Sequence, residues 1–193
     1  MKTVIVVAFI CKLLQQSIVT GEDNACKNGP PVNKGLWDCC NMPNLIDQDI
    51  RTECQQKYGE QTVKQAKLEG TPRGCCIAEC QLNATGLYAD GMVDREAMTS
   101  MFMDAVKDAP EWQPKVRDLL DECFRRAEAN KDVIAAGAML EPSFEGEKIC
   151  HPISGAIMRC MNKNLYVMCP MENYYESPEC NQLMDFYRMC NGQ

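Results

Sequence analysis

Histidine is almost absent from this 193-residue chain, which contains only His151. Histidine is the commonest general base in enzymes and a frequent zinc ligand. Its scarcity removes that base from most positions and rules out a zinc site built on several histidines. No nucleophile with a neighbouring base stands out either. We therefore expect no enzyme, no metal ion and no cofactor.

Basic residues are outnumbered by acidic ones, and the formal net charge is −7. Nucleic-acid binding requires a basic surface, and anionic membranes attract basic segments. The charge therefore argues against both partners. It favours solubility at high concentration.

Long apolar runs are missing except near the N-terminus. Residues 1–20 combine Lys2, an apolar stretch from Val4 to Leu14, and small residues near the end, which is typical of a secretory signal peptide. The run is too short for a membrane helix, which needs about 20 apolar residues. No other stretch is long enough to span a bilayer, so we expect a secreted protein without membrane insertion.

Alternation of apolar and polar residues with a period of two is also missing, whereas apolar residues recur at helical spacing. The pattern predicts an all-α fold of six to seven helices. A helix with Asp94 as its expected N-cap and a helix over 110–130 carry the clearest apolar stripes. Further helices are expected at 44–58, around Cys76 and Cys80, after Pro152 and after Ser177, and 131–148 is ambiguous.

Cysteine, by contrast, is abundant: the chain has 14, of which Cys11 leaves with the leader. Such density in a short secreted chain indicates a disulfide framework that replaces part of the hydrophobic core. The punctuation by Gly and Pro predicts a disulfide-stapled extension over 21–43, a helical core over 44–170 and a C-terminal extension with a helix over 171–193.

The order of these cysteines resembles a known framework. Cys54, Cys76-x3-Cys80, Cys123 and Cys160-x8-Cys169 resemble the six cysteines of insect odorant-binding proteins. The additional Cys150 and Cys180, with Pro170 directly after Cys169, resemble the enlarged Plus-C subgroup. The resemblance covers roughly residues 44–190.

This resemblance implies a helical fold around an apolar cavity. It also implies transport of small hydrophobic molecules, such as odorants or other semiochemicals, through sensillum lymph or another aqueous secretion. Three interlocked disulfides are implied, joining the first and third, second and fifth, and fourth and sixth cysteines. On this sequence these are Cys54–Cys80, Cys76–Cys160 and Cys123–Cys169.

The other cysteines are less constrained. We hypothesise a Cys150–Cys180 bridge, because both look like additions of the subgroup that flank one helix. The pairing of the rest stays open. Since thirteen is odd, either one thiol stays buried or a bridge forms between two chains in a homodimer. The cysteines without an assigned partner are Cys26, Cys39, Cys40, Cys75 and Cys190.

Methionine is frequent, with 13 residues, and its flexible thioether can adapt to different ligands. In this fold the set favours a plastic binding pocket over ordinary core packing. Tyr166, Tyr174, Tyr175 and Tyr187 could supply a hydroxyl that orients a polar ligand group. The expected lining residues are Met98, Met101, Phe102, Val106, Leu119, Leu120, Ile157, Met161 and Leu165.

Two further features concern the surface. Asn83-Ala84-Thr85 is an N-glycosylation sequon close to an expected helix end. His151 could act as a pH switch near 6.5, but we favour a solvated surface histidine. Any acid-triggered release would then depend on carboxylates.

An alternative function is also compatible with this sequence. A disulfide-rich secreted protein with a filled core could bind another protein, using its N-terminal extension and C-terminal helix. The same extensions could close the expected cavity or move the binding site.

Overall fold

The structure is a computed structural model that describes Cys26 and residues 29–69 and 75–190. The expected leader over 1–20 lies outside these residues. The chain divides into two compact units, one comprising Met1–Cys39 and Tyr175–Gln193 and the other Cys40–Tyr174. The sequence-based boundaries after residues 43 and 170 stay predictions.

Helices dominate the described residues, which confirms the expected all-α class. The α-helices are α1 (Leu36–Cys39), α2 (Gln48–Glu69), α3 (Cys75–Ala84), α4 (Arg95–Ala105), α5 (Gln113–Ala129), α6 (Lys131–Gly137), α7 (Pro152–Val167) and α8 (Pro178–Met189). The short strands β1 (Tyr88–Ala89) and β2 (Met92–Val93) and a 3-10 turn (Met171–Asn173) complete the elements.

Side-chain caps begin several of these helices. Asp94 accepts a 2.9 Å hydrogen bond from the N–H of Ala97 and caps α4, as the sequence predicts. Ser177 caps α8 through the N–H of Cys180, and Pro178 occupies its first turn. Asp47 accepts from the N–H groups of Asp49 and Ile50, so α2 begins after Asp47 rather than near residue 44.

Helix α2 does not end at Gly59, as the sequence suggested, but continues to Glu69. A glycine inside a helix costs only about 1 kcal/mol relative to alanine, which neighbouring contacts can offset. The hairpin of β1 and β2 was not expected either. Asp90 and Gly91 form its two-residue loop with φ of 51° and 79°, as a type I′ turn requires.

In the unit Cys40–Tyr174, α7 is the central helix. It packs against α3, α5 and α6, while α2 packs on α3 and α4 packs on α5. Helix α5 thus links α4 to α7, and all three helices have buried residues.

Three disulfides link the helical part of this unit. Cys54–Cys80 joins α2 to α3 and confirms the expected pair. Cys76 bonds to Cys150 instead of Cys160, and Cys123 bonds to Cys160 instead of Cys169. The first–third, second–fifth, fourth–sixth order is therefore kept, with Cys150 and Cys160 as the fifth and sixth cysteines.

Helix bounds explain why the expected pairs were wrong. Cys160 lies within α7, which packs on α5, so it can reach Cys123 on that helix. Cys169 follows the end of α7 and bonds to Cys40 instead. Cys150 precedes α7, beside α3, which carries Cys76.

The unit Met1–Cys39 with Tyr175–Gln193 is also held by disulfides. Cys39 bonds to Cys180, so the expected Cys150–Cys180 bridge is wrong, and Cys26 bonds to Cys190. The N–H of Tyr175 donates a 2.9 Å hydrogen bond to the carbonyl of Cys39. Helices α1 and α8 pack against each other within this unit. Among the described residues, Cys75 is not one of the twelve cysteines that form these six disulfides.

Candidate functional site

The nine expected lining residues lie on three packed helices. Eight of them are buried and Met101 is half-buried. We call this set the apolar cluster. Met98, Met101 and Phe102 lie on α4 with Val106 at its C-cap, Leu119 and Leu120 lie on α5, and Ile157, Met161 and Leu165 lie on α7.

Helical spacing produces this convergence. Ile157, Met161 and Leu165 recur every four residues, so they form one stripe along α7. Leu119 and Leu120 are buried on α5, which packs against both α7 and α4. The apolar cluster therefore lies on three helices that are linked through α5.

Sequence reasoning missed two buried residues of the same unit. Trp112 and Leu82 are almost completely buried. Trp112 directly precedes α5, and its backbone N–H donates a hydrogen bond to the carbonyl of Ala109. A large aromatic residue before a proline-led helix was the available signal for this position.

The four tyrosines considered as polar ligand contacts differ in burial. Tyr166 on α7 is fully buried, whereas Tyr174 and Tyr187 are half-buried and Tyr175 is exposed. Burial favours Tyr166 as the one of the four that lies nearest an apolar interior.

A buried carboxylate on α3 organises a polar network that the sequence did not reveal. Glu79 accepts a 2.8 Å hydrogen bond from the N–H of His151 and lies 3.4 Å from Nζ of Lys148. Burial, followed by the charge and the hydrogen bond of Glu79, raises the pKa of Tyr88. Burial alone would lower the pKa of Lys148, but Tyr58 and Glu79 outweigh it and raise that pKa.

Two glutamines of α2 hold the segment before α7 in place. The amide of Gln61 donates to the carbonyl of Lys148 at 2.8 Å and accepts from its N–H at 3.0 Å. The amide of Gln65 donates to Glu147, which also accepts from the N–H of Ser143. The buried carboxylates Glu79 and Glu147 are thus engaged in structural hydrogen bonds.

His151 caps a helix instead of standing free on the surface. It is half-buried, and its Nδ1 accepts a 3.3 Å hydrogen bond from the N–H of Ile153 at the start of α7. Its ring also lies close to Gly91 in the hairpin. The expectation of a solvated histidine was therefore wrong.

Asn83 is exposed at the C-terminal end of α3. The hydroxyl of Thr85, the third residue of the sequon, donates to the carbonyl of Gln81 at 3.0 Å. Attachment of a glycan at Asn83 stays a prediction, as does a homodimer.

Within residues 29–69 and 75–190 and at Cys26, His, Cys, Asp and Glu side chains form no group of three that could hold a metal ion. None of the helices in these ranges is long and apolar enough to cross a membrane.

Comparison with known proteins gives a consistent result. The family model described as AgamOBP47-like matches residues 43–186. The chain is 45% identical to Odorant-binding protein 47 of Anopheles gambiae, over 86% of this chain and 74% of that protein. It is 28% identical to General odorant-binding protein 68 of the same species, over 93% of this chain and 82% of that protein.

Proposed function

This chain belongs to the AgamOBP47-like family of odorant-binding proteins, and we propose from that membership that it is a secreted carrier of small hydrophobic molecules. Its many cysteines agree with the Plus-C subgroup of that family. The carrier would take up odorants or other semiochemicals and move them through an aqueous secretion. It would act by binding alone, without a catalytic step.

The joint burial of the apolar cluster on α4, α5 and α7 is the main structural support for this proposal. Burying about 300 Å² of apolar ligand surface at about 25 cal/mol per Å² would contribute ~7.5 kcal/mol. Before ordering costs, this corresponds to a dissociation constant in the micromolar range. The disulfides would keep the helices in register while a ligand occupies their shared core.

Displacement of a fluorophore tests the carrier function. We expect N-phenyl-1-naphthylamine to bind the oxidised protein without its leader saturably, at micromolar concentration, and to be displaced by small apolar compounds. A protein with intact helical circular dichroism that binds neither fluorophore nor competitor would contradict the proposal.

A matched pair of methionine variants tests the location of the site. Met161 is fully buried in the apolar cluster, whereas Met171 is 92% exposed on the 3-10 turn. Met161→Ala should change fluorophore affinity several-fold by altering the shape of the site, and Met171→Ala should leave it unchanged. Equal effects of the two variants would place the site outside the apolar cluster.

One observation favours a second function, the binding of another protein. The segment from Val133 to Leu140 is apolar but contains no buried residue, and Val133, Met139 and Leu140 are 74%, 81% and 50% exposed. Exposed apolar surface of this kind is often an interaction site. A carrier and an interaction module differ in the fluorophore assay, which only the carrier passes.

A further inference from the structure

Ser154 combines complete burial with an unused hydrogen-bonding group. Its side chain lies on the first turns of α7 and has no solvent exposure. Its hydroxyl oxygen makes no hydrogen bond to any residue of the described part of the chain. A buried serine hydroxyl normally has a partner, because leaving it unsatisfied is costly.

The hydroxyl belongs to the same face of α7 as the apolar cluster. Residues 154, 158, 161 and 165 follow one another at spacings of four, three and four, so Ser154 lies on the stripe that carries Met161 and Leu165. With 100° per residue, Ser154 falls between Met161 and Leu165 in projection along the axis, at the middle of that stripe. Its hydroxyl therefore lies at the N-terminal end of this stripe, about one turn before Ile157.

The other buried side-chain atom that lacks a partner in the described ranges is Oδ1 of Asn173. The side-chain amide nitrogen of Asn173 already donates to the carbonyl of Asn41 at 3.2 Å, and Asn173 as a whole is half-buried on the 3-10 turn. Ser154 differs because its whole polar group is unused and lies on the apolar stripe.

We propose that the hydroxyl of Ser154 is the polar anchor of the ligand site and selects neutral apolar molecules that carry one hydrogen-bonding group. This inference rests on the proposed carrier function and adds a ligand class to it. A serine hydroxyl both donates and accepts, so it can bind an alcohol, an aldehyde, a ketone or an ester. The buried carboxylates Glu79 and Glu147 are engaged elsewhere, and the cluster offers no charge to pair with an ionised acid or amine.

A pair of ligands with nearly the same shape tests the anchor. 2-Naphthol and 2-methylnaphthalene differ by a hydroxyl in place of a methyl group. One hydrogen bond contributes about 0.5–1.5 kcal/mol, a two- to twelvefold difference in affinity. The wild-type protein should therefore bind 2-naphthol more tightly by that factor than the Ser154→Ala variant does, and the variant should bind 2-methylnaphthalene at least as tightly as the wild type.

Thermal unfolding of the unliganded protein provides a readout that does not require a ligand. Removing an unsatisfied buried hydroxyl should raise the midpoint temperature. Ser100→Ala, at an exposed position of α4, controls for the better helix propensity of alanine. The Ser154→Ala variant should gain more than Ser100→Ala, and saturating 2-naphthol should reduce this advantage.

The outcomes separate the two proposals. Failure of both naphthalenes to bind the wild type contradicts the carrier function. If both compounds bind and Ser154→Ala does not change the ratio of their affinities, the anchor is overturned and the carrier function is kept. A midpoint temperature of Ser154→Ala below that of the wild type also overturns the anchor, because the hydroxyl would then serve folding.

Discussion

The carboxylate of Glu79 holds the backbone N–H of His151 at 2.8 Å, although the two residues are 72 positions apart. Glu79 lies on α3, and His151 is the residue that caps α7. The Cys76–Cys150 disulfide joins the same two regions one residue earlier on the α7 side. The start of the central helix is therefore fixed by a covalent bond and by a charged hydrogen bond.

Replacing Glu79 should destabilise the oxidised protein. Hydrogen bonds to charged groups contribute about 1.5–3 kcal/mol, and Glu79→Ala leaves the His151 N–H without its acceptor, so we expect a loss of about 2–4 kcal/mol. Glu79→Gln keeps an acceptor oxygen and should lose less. Urea unfolding followed by circular dichroism measures both. Asp118→Ala, on the exposed side of α5, is the control, and an equal effect of Asp118→Ala would refute the role of Glu79.

Stability should fall at alkaline pH because the pKa values of Tyr88 and Lys148 are raised in the folded state. A raised pKa means that the folded state favours the protonated side chain. The side chain's contribution to the free energy of unfolding is therefore complete below its pKa in the unfolded chain, and it is lost as the pH rises through its pKa in the folded protein. The loss should therefore begin above the ordinary tyrosine pKa of about 10.

The Tyr88→Phe variant isolates the tyrosine in this alkaline window. Phenylalanine has no proton to lose, so the decline of unfolding free energy above about pH 10 should become shallower. Unfolding curves at several pH values measure the slope, with a non-reducing gel to confirm intact disulfides. The same slope in Tyr88→Phe and wild type would show that Tyr88 makes no contribution.

Two helix glycines should respond in opposite ways to alanine. A Cβ at Gly155 on α7 would lie 3.2 Å from Cα of Cys75, a backbone atom that cannot easily move. We expect Gly155→Ala to cost about 1–3 kcal/mol through this overpacking. A Cβ at Gly59 would meet only the flexible end of Gln55, so Gly59→Ala should gain up to about 1 kcal/mol from helix propensity.

Thermal unfolding of both glycine variants at one pH compares them directly. Destabilisation by Gly59→Ala to the same degree as Gly155→Ala would mean that the close approach of α7 and α3 is not the cause.

Disulfide mapping should find Cys76 linked to Cys150 and Cys123 linked to Cys160. Peptic digestion of the unreduced protein at acidic pH avoids thiol–disulfide exchange, which requires a thiolate. Mass spectrometry before and after reduction identifies each pair. Linked peptides with Cys76–Cys160 or Cys123–Cys169 would contradict the structure and restore the pairing expected from the sequence.

Local patterns in the sequence predicted α2 to α5, α7, α8 and much of the apolar core, but they did not predict α1 and left the region of α6 ambiguous. The stripe on α5 and the Asp94 cap depend on neighbours within one or two turns, so they are readable from the residues alone. The same applies to Phe102 and Met161, whose burial follows from their place on an amphipathic face.

Long-range pairings could not be read in this way. Cys150 and Cys169 lie at similar distances in sequence on either side of Cys160. Only the packing of α7 on α5 determines that Cys160, rather than Cys169, bonds to Cys123. The bond from Glu79 to His151 has no local signature either, because it joins segments 72 residues apart. The continuation of α2 through Gly59 reflects packing that outweighs the preference of a single residue.

The arrangement of the six disulfides determines what a single proteolytic cut does to the molecule. The segments closed by Cys54–Cys80, Cys76–Cys150 and Cys123–Cys160 each overlap the next one along the chain. The segment closed by Cys40–Cys169 contains all three, and it lies within the segments closed by Cys39–Cys180 and Cys26–Cys190. Every peptide bond between Cys26 and Cys190 therefore lies inside at least one closed ring. A single cut in that range opens a ring without releasing a fragment, so a nicked molecule remains one covalent piece.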